Sequence, residues 1–337
     1  MKSGNIMKPK FYKIILLVSE LLIAGFALTG CQPEARTKVI KLAHALDSSH
    51  PVHKALVYMS ERFAEKSDGK YRIEIYHGGQ LGSEREYVEL LQIGSLGMTK
   101  VSCSVVEGFV KKFNVFSLPY IFRDDEHRFK VLEGEIGTQL LLEGEKYWVR
   151  GLCYLDAGSR SFYSTKKPIN SPTDLQGLKV RTQESTTSMR MIQIMGGSAT
   201  PIAWGELYTA LQQGIVDAAE NNPPSFYLSH HYEVSKYFSL DEHTSVPDVL
   251  LISTVVWNSL PPQAREWLQS AADEAAVYQR ELWRIATQEA LDEVQKAGVV
   301  VSYPDKNVFQ DKVKDIYEEY RSEPEIYELI QNIRAVQ

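Results

Sequence analysis

Arg181, Arg160 and Asn221 are the side chains in this sequence whose types and settings best fit the gripping of an anion. Arg181 closes the stretch Gly177-Leu178-Lys179-Val180-Arg181-Thr182, in which Leu178 to Val180 read as a short buried strand. Ligands of α/β folds are met at the carboxyl ends of strands. A guanidinium held there offers a carboxylate two parallel hydrogen bonds. The stretch alone leaves a second reading open, an arginine that closes the strand onto a structural aspartate. Arg160 lies in Asp156-Ala157-Gly158-Ser159-Arg160-Ser161, an extended segment placed to cross between lobes, where an isolated arginine is more often a surface charge. Asn221 follows a strand expected to end at Asp217. An asparagine at a strand exit is commonly a turn residue, and its amide can equally orient a carboxylate or a hydroxyl.

Four more side chains carry two readings each. Glu84 opens a helix after Gly82-Ser83, where a carboxylate favours the helix dipole whatever else it does. Trp204 opens another helix; it fits a core, and its ring face at a cleft also stacks on sugar carbons. His44 and His50 flank a loop without metal-ligand spacing, and His50 before Pro51 fits a helix cap. No nucleophile elbow, phosphate loop, dinucleotide fingerprint or metal-ligand cluster appears. A Ser/His/Asp triad is set by geometry and leaves no spacing to read.

The elements that must position these residues alternate. Val39 to Ala43 and Tyr71 to Tyr76 read as strands, Val52, Ala55, Leu56, Met59 and Phe63 as one helical stripe, and Met98 to Val101 as a third strand. This rhythm predicts a parallel, doubly wound sheet, and its resumption after Trp148 predicts a second lobe. Upstream of Arg181, Ser171 fits a cap, Pro172 a first helical position, and Gly177 the left-handed end of a turn. Thr186 to Met195 and Glu206 to Gln213 read as helices, and Ile215 to Asp217 as a short strand. Pro262 to Gln295 is the longest helical pattern, with a stripe of Leu268, Ala271, Ala275, Tyr278, Leu282 and Ile285. At about 1.5 Å per residue it is long enough to brace both lobes.

The chain has 337 residues, 44% hydrophobic and 24% charged, which fits a globular protein of two domains. Its amino terminus reads as a targeting segment: Lys8, Lys10 and Lys13 precede an apolar run from Ile14 to Leu28 that is too short for a membrane span. The run closes with Leu28-Thr29-Gly30-Cys31, which resembles a bacterial lipobox and implies cleavage before Cys31 and acylation of its sulfur. Residues 1–30 are then a signal peptide, and Gln32 to Lys38 a short polar tether. Removing residues 1–30 takes away four lysines and one glutamate and leaves a net charge of −9. That acidity argues against nucleic acid as a partner. Of the three cysteines, Cys103 and Cys153 fit either buried thiols or a pair.

The order of motifs resembles the DctP-type solute-binding proteins of tripartite ATP-independent periplasmic (TRAP) transporters. The matching pieces are Gly79-Gln80-Leu81-Gly82 with Glu84, Gly94-Ser95-Leu96, Phe116-Ser117-Leu118-Pro119-Tyr120 and Lys167-Pro168-Ile169. They continue with Gly177 to Arg181, Leu211-Gln212-Gln213-Gly214-Ile215-Val216-Asp217 and Glu220-Asn221. The resemblance implies a two-lobed periplasmic binding protein fold, hinge-linked α/β domains that close on an organic acid. Lobe I would comprise 31–157 and 246–286, and lobe II 158–245 and 287–337. By motif position, Arg181 looks like the arginine that pairs with the ligand carboxylate, Arg160 like a second arginine, and Asn221 like the asparagine on the carboxylate's other side. Trp204 falls where an aromatic lies under the ligand, and Glu84 where an acid accepts from hydroxyls. Lys100 and Ser102 depart from the sialate-binding pattern, so the far end of the pocket differs. Asn222-Pro223-Pro224 extends the asparagine motif in the manner of uronate-binding branches.

A buried carboxylate such as Glu84 repels a second ligand carboxylate and welcomes hydroxyl donors. The expected ligand is therefore a hexuronate such as D-glucuronate or D-galacturonate, held by Arg181, Arg160 and Asn221, with Glu84, His44, His50, Lys100 and Gln183 addressing hydroxyls and Trp204 beneath. No metal or cofactor is expected. The expected partners are the TRAP permease subunits and, through Cys31, the membrane, with the protein in the periplasm or at the cell surface. A C4-dicarboxylate or sialate receptor, a receptor presenting its ligand to a sensor kinase, and a secreted enzyme are the alternatives.

Overall fold

The computed structural model describes residues 37–337, so the leader and Cys31 lie outside the described residues. Val39–Gln337 form one compact unit. The first strand, β1 (Lys38–Ala43), leads into helix α1 (Pro51–Lys66). His50 caps that helix: its backbone is extended, its Nδ1 accepts the Val52 N–H at 3.2 Å, and Pro51 takes the first position. The stripe Val52, Ala55, Leu56, Met59 and Phe63 is buried as its spacing predicts. Strand β2 (Tyr71–Tyr76), helix α2 (Glu84–Gln92) and strand β3 (Met98–Ser102) follow. Ser83 caps α2 in a reciprocal box with Glu86, which leaves Glu84 at the first helical position. After a stretch of short helices comes β4 (Val149–Leu155).

The chain then crosses through 156–159 into a second sheet. This holds β5 (Arg160–Ser164), β6 (Lys179–Thr182), β7 (Ser198–Pro201), β8 (Ala218–Asn221) and β9 (Tyr237–Thr244), with helix α3 (Thr186–Met195) between β6 and β7. It returns through 245–247 to β10 (Asp248–Ser253) in the first sheet, and helix α4 (Pro262–Lys296) leads back to β11 (Val300–Ser302) in the second. The orders are β2-β1-β3-β10-β4 and β11-β9-β5-β8-β6-β7. Among the described residues no helix is long and apolar enough to cross a membrane.

Three expectations need correction. The first sheet is mixed: β1 and β3 are parallel, whereas β10 runs antiparallel between β3 and β4. Strand β10 enters from the other sheet at the crossing, so it must run against β3. The strand expected at Ile215–Asp217 begins three residues later. Gly214 and Ile215 close the preceding helix, with the Ile215 N–H donating to Ala210 O, and Asp217, just before the strand, donates its N–H to Lys179 O at 2.8 Å and accepts the Lys179 N–H on its side chain at 2.9 Å. Asn221 is thus the last residue of β8, paired with Ser161, rather than a turn residue after a strand. In α4 the stripe turns: Leu268, Ala271 and Ala275 are buried, but further along Gln279 and Trp283 face inward while Tyr278 and Ile285 are exposed. The helix packs on α1 first and then on the crossing segment, which lies on a different side.

That second contact holds the crossing in place. The Gln279 amide accepts the Asp156 N–H and donates to Asp156 O, both at 2.8 Å. Gly158 has φ +56°, and a side-chain carbon there would stand 2.9 Å from Trp283 Nε1. Glycine answers both demands. Upstream of β6, Pro172–Leu175 forms one short helical turn capped by Ser171, and Gly177 takes φ +75°. The turn thereby aims β6 and its arginine as its residue types imply. Cys103 and Cys153 are buried free thiols.

Candidate functional site

The two sheets meet at the carboxyl ends of β1, β3, β6 and β8, and the anion-binding candidates gather there. Arg160 opens β5 beside the end of β8. Its guanidinium is buried and engages Glu220 through Nε and Nη2, Glu220 O at 2.9 Å, and Asn221 Oδ1 at 3.0 Å. Burial would raise the Glu220 carboxyl, yet Arg160 and His243 hold it down at about 2. His243 stacks on Phe162 at 4.2 Å between centroids and contacts Asp241 Oδ2 at 2.9 Å. Burial would lower this imidazole, but Asp241 and Glu220 push it up to about 9. It is therefore a cation near neutral pH.

Arg181 is buried on β6, with Nε donating to Ile202 O at 2.9 Å and the guanidinium carbon 6.0 Å from the Trp204 ring centroid. Among the described residues its buried Nη1 has no hydrogen-bond partner. Burial lowers its basicity, with Arg160 adding to that and Glu220 opposing it. A buried guanidinium N–H left unpaired is costly, and an anion drawn against it removes that cost. The alternative of a strand closed onto a structural aspartate does not describe it, because its Nε donates to a backbone carbonyl and, among the described residues, no salt bridge joins it to an aspartate.

Across the cleft Lys100 is buried between two carboxylates, Glu84 Oε1 at 3.3 Å and Asp248 Oδ2 at 2.9 Å. Burial opposes its charge, but the two acids raise its pKa nonetheless. Glu84 Oε2 also accepts the Ser102 N–H at 3.4 Å, and Ser102 Oγ donates to Gln183 Oε1 at 3.3 Å. Counted by charge, Arg160, Arg181 and His243 exceed Glu220 and Asp241 by one positive charge at the first end. Glu84 and Asp248 exceed Lys100 by one negative charge at the second. A ligand with one carboxylate and a body of hydroxyls complements both ends.

Seven of the nine expected residues line one cavity: Arg160, Asn221, Glu84, Trp204, His50, Lys100 and Gln183. Arg181 lies outside that lining, against the Trp204 ring. His44 is elsewhere as well. Its Nδ1 accepts the Leu46 N–H at 3.2 Å, its Nε2 meets His53 Nδ1 at 3.0 Å, and burial lowers its pKa to about 2. His50 is held neutral at about 3 by burial and by the Lys100 charge. Since its Nδ1 accepts from the helix, its Nε2–H donates across the cleft to Ser225 Oγ at 3.4 Å. The lining closes around a small cavity of about 30 Å³. A sugar-sized ligand therefore needs the lobes to part.

Asp248, Ser225 and Trp283 also line the cavity and were not foreseen. Asp248 reaches Lys100 only because β10 pairs Asp248 with Ser102 and Leu250 with Lys100. No local pattern marks it. Trp283 hid within a helical stripe that the sequence assigns to its neighbours. Glu220 could have been found, since it precedes Asn221 and a buried acid beside a candidate arginine invites pairing.

Comparison with known proteins agrees with this geometry. Residues 42–323 match the family of bacterial extracellular solute-binding proteins, family 7, also called DctP. A solute-binding protein of Chromohalobacter salexigens is 35% identical over 291 residues, 86% of this chain and 87% of that one. The structure resembles the TRAP periplasmic solute-binding protein of Xanthobacter autotrophicus Py2 with bound β-D-galacturonate, at TM-score 0.86 and 36% identity, covering 88% of this chain and 100% of that one. It resembles the Roseobacter denitrificans counterpart with bound β-D-glucuronate at TM-score 0.87 and 34% identity, covering 89% and 100%.

Proposed function

Since the chain belongs to bacterial extracellular solute-binding protein family 7, the DctP family, and is a TRAP-type periplasmic receptor rather than an enzyme, we propose that its ligand is a hexuronate, D-glucuronate or D-galacturonate. The observation that carries this reading is the opposed charge of the two cleft ends. One offers the unpaired Arg181 Nη1 and the other the surplus carboxylate around Lys100. In this reading the carboxylate sits against Arg181, with Arg160 and Asn221 beside it. The ring lies along Trp204, and hydroxyls donate to Glu84 and Asp248. Lys100, Gln183 and His50 complete the hydroxyl end. His44 supports the site from behind. The relatives with bound galacturonate and glucuronate support the same ligand class.

The hinge of this reading is the pair of crossings at 156–159 and 245–247, the first braced by Gln279 and Trp283 of α4. Closure buries the acid, and opening hands it to the membrane subunits of a TRAP permease. The lipobox adds a tether at Cys31 that keeps the receptor at the membrane. A C4-dicarboxylate fits poorly, because its second carboxylate would meet Glu84 and Asp248.

The test is a thermal-shift series with hexuronates, aldonates, sialate and C4-dicarboxylates. A ligand at about a thousand times its Kd stabilises the folded state by about 4 kcal/mol, several degrees in Tm. A shift with D-glucuronate or D-galacturonate and none with succinate is expected. A shift with succinate alone would leave a receptor but remove the hexuronate.

A further inference from the structure

The chain that leaves Lys100 at the end of β3 meets the chain that leaves Arg181 at the end of β6 twice. The first meeting, Ser102 Oγ on Gln183 Oε1, belongs to the cavity lining. The second lies outside it. Strand β3 runs straight into the short helix Cys103–Val106, and Glu107 ends that helix with its N–H on Cys103 O at 3.2 Å. The Glu107 side chain reaches α3, the helix that follows β6 in the other sheet. There its Oε1 accepts the Thr187 N–H at 3.2 Å and the Thr186 hydroxyl at 3.3 Å.

The first N–H groups of a helix lack partners within it and form the positive end of its dipole, so a carboxylate suits them. In α3 the local cap Ser185 takes the Ser188 N–H at 2.9 Å. The Thr187 N–H is served from the other sheet. The contact is nevertheless only half made. Glu107 is buried, and among the described residues its Oε2 has no hydrogen-bond partner. A buried carboxylate with one oxygen stranded gives back in desolvation part of what its two hydrogen bonds supply. Such a contact favours a closed cleft without holding it shut alone.

We propose that Glu107 is a closure latch, a positioning residue that docks on the α3 N-terminus as the cleft shuts and draws Arg181 toward Lys100 without touching the ligand. The inference rests on the hinged reading of the cleft, in which the ends of β3 and β6 separate on opening. It does not depend on which acid is bound. Because the latch acts on the closed state, it multiplies the affinity for every ligand by one factor. That factor enters the off-rate, since release requires the latch to come undone.

The test compares the parent with Glu107→Ala and Glu107→Gln. Stopped-flow tryptophan fluorescence, with Trp204 and Trp283 of the lining as reporters, gives on- and off-rates for D-glucuronate and D-galacturonate. Glu107→Ala is expected to release both sugars about tenfold faster, with the on-rate and the ligand-free Tm of the parent. Glu107→Gln keeps an acceptor for the Thr187 N–H and loses the charge, so its off-rates should fall between the two. Without ligand, small-angle X-ray scattering should give Glu107→Ala the larger radius of gyration, as the open state gains population. A lowered ligand-free Tm with unchanged off-rates would make Glu107 a permanent brace and overturn the latch. Unequal factors for the two sugars would overturn it as well, since they belong to a ligand contact. Should neither uronate bind the parent, the hexuronate reading falls by itself and scattering decides. An equal radius in the parent and Glu107→Ala then overturns the latch, and a larger one in Glu107→Ala upholds it.

Discussion

The two ends of the cleft are made from the same kinds of side chain and end with opposite charge. At one, Arg160 and His243 spend themselves on Glu220 and Asp241, and Arg181 is left over. At the other, Lys100 is shared by Glu84 and Asp248, so one carboxylate is left over. Buried ion pairs mostly cancel desolvation against attraction. They hold geometry, and the unpaired remainder acts on the ligand. Selectivity for a mono-acid with hydroxyls follows from that remainder, not from the number of charges present.

The strongest way to break the comparison is to unpair its first end. Glu220→Leu leaves Arg160 buried without its carboxylate and is expected to cost about 3–5 kcal/mol of stability, read by chemical denaturation. An unchanged midpoint would mean that Arg160 finds another partner. Next, Arg181→Ala should weaken D-glucuronate binding about 100-fold, roughly 3 kcal/mol, by calorimetry. Arg181→Lys should recover only part, since an ammonium lacks the fork. Wild-type affinity in Arg181→Ala would remove this residue from the site.

A smaller effect sharpens the second end. Glu84→Gln or Asp248→Asn neutralises the leftover acid, so uronate affinity should fall by about 1 kcal/mol while succinate gains a similar amount. A loss for both ligands would show that the acids matter only as supports for Lys100.

The slightest effect is on pH dependence. His50 and His231 titrate near 3 when folded, lowered chiefly by burial, against about 6.5 unfolded. Their contribution is present above pH 6.5 and lost as pH falls from there toward 3. His243 is raised to about 9, so its contribution is complete below 6.5 and lost as pH rises through 9. A Tm–pH curve should therefore fall on both sides of neutrality, and His243→Gln should flatten only the alkaline side. A variant that steepened it would reverse the assigned sign.

Much of the scaffold was legible because its signals are local. The capped turn before Arg181, the His50–Pro51 start of α1, the Ser83 box that places Glu84 and the length of α4 each depend on neighbours within a few residues. The resemblance in motif order brought Arg160 and Asn221 in with them. The second half of the α4 stripe was misjudged because it turns to meet a segment more than a hundred residues earlier. His44 looked like a cleft residue from its loop, yet its ring faces His53 on α1.

By itself the sequence determined the family, the two α/β lobes, the strand that carries Arg181 and the helix end that carries Glu84. Periodicity, caps and turn residues act at short range and need no partner to be read. Only the tertiary structure decided the charge of each end. Asp248 joins Lys100 through the antiparallel insertion of β10, and Glu220 consumes Arg160 while nothing among the described residues consumes Arg181 Nη1. A net charge at a site is a sum over residues from distant strands, and no local pattern contains that sum.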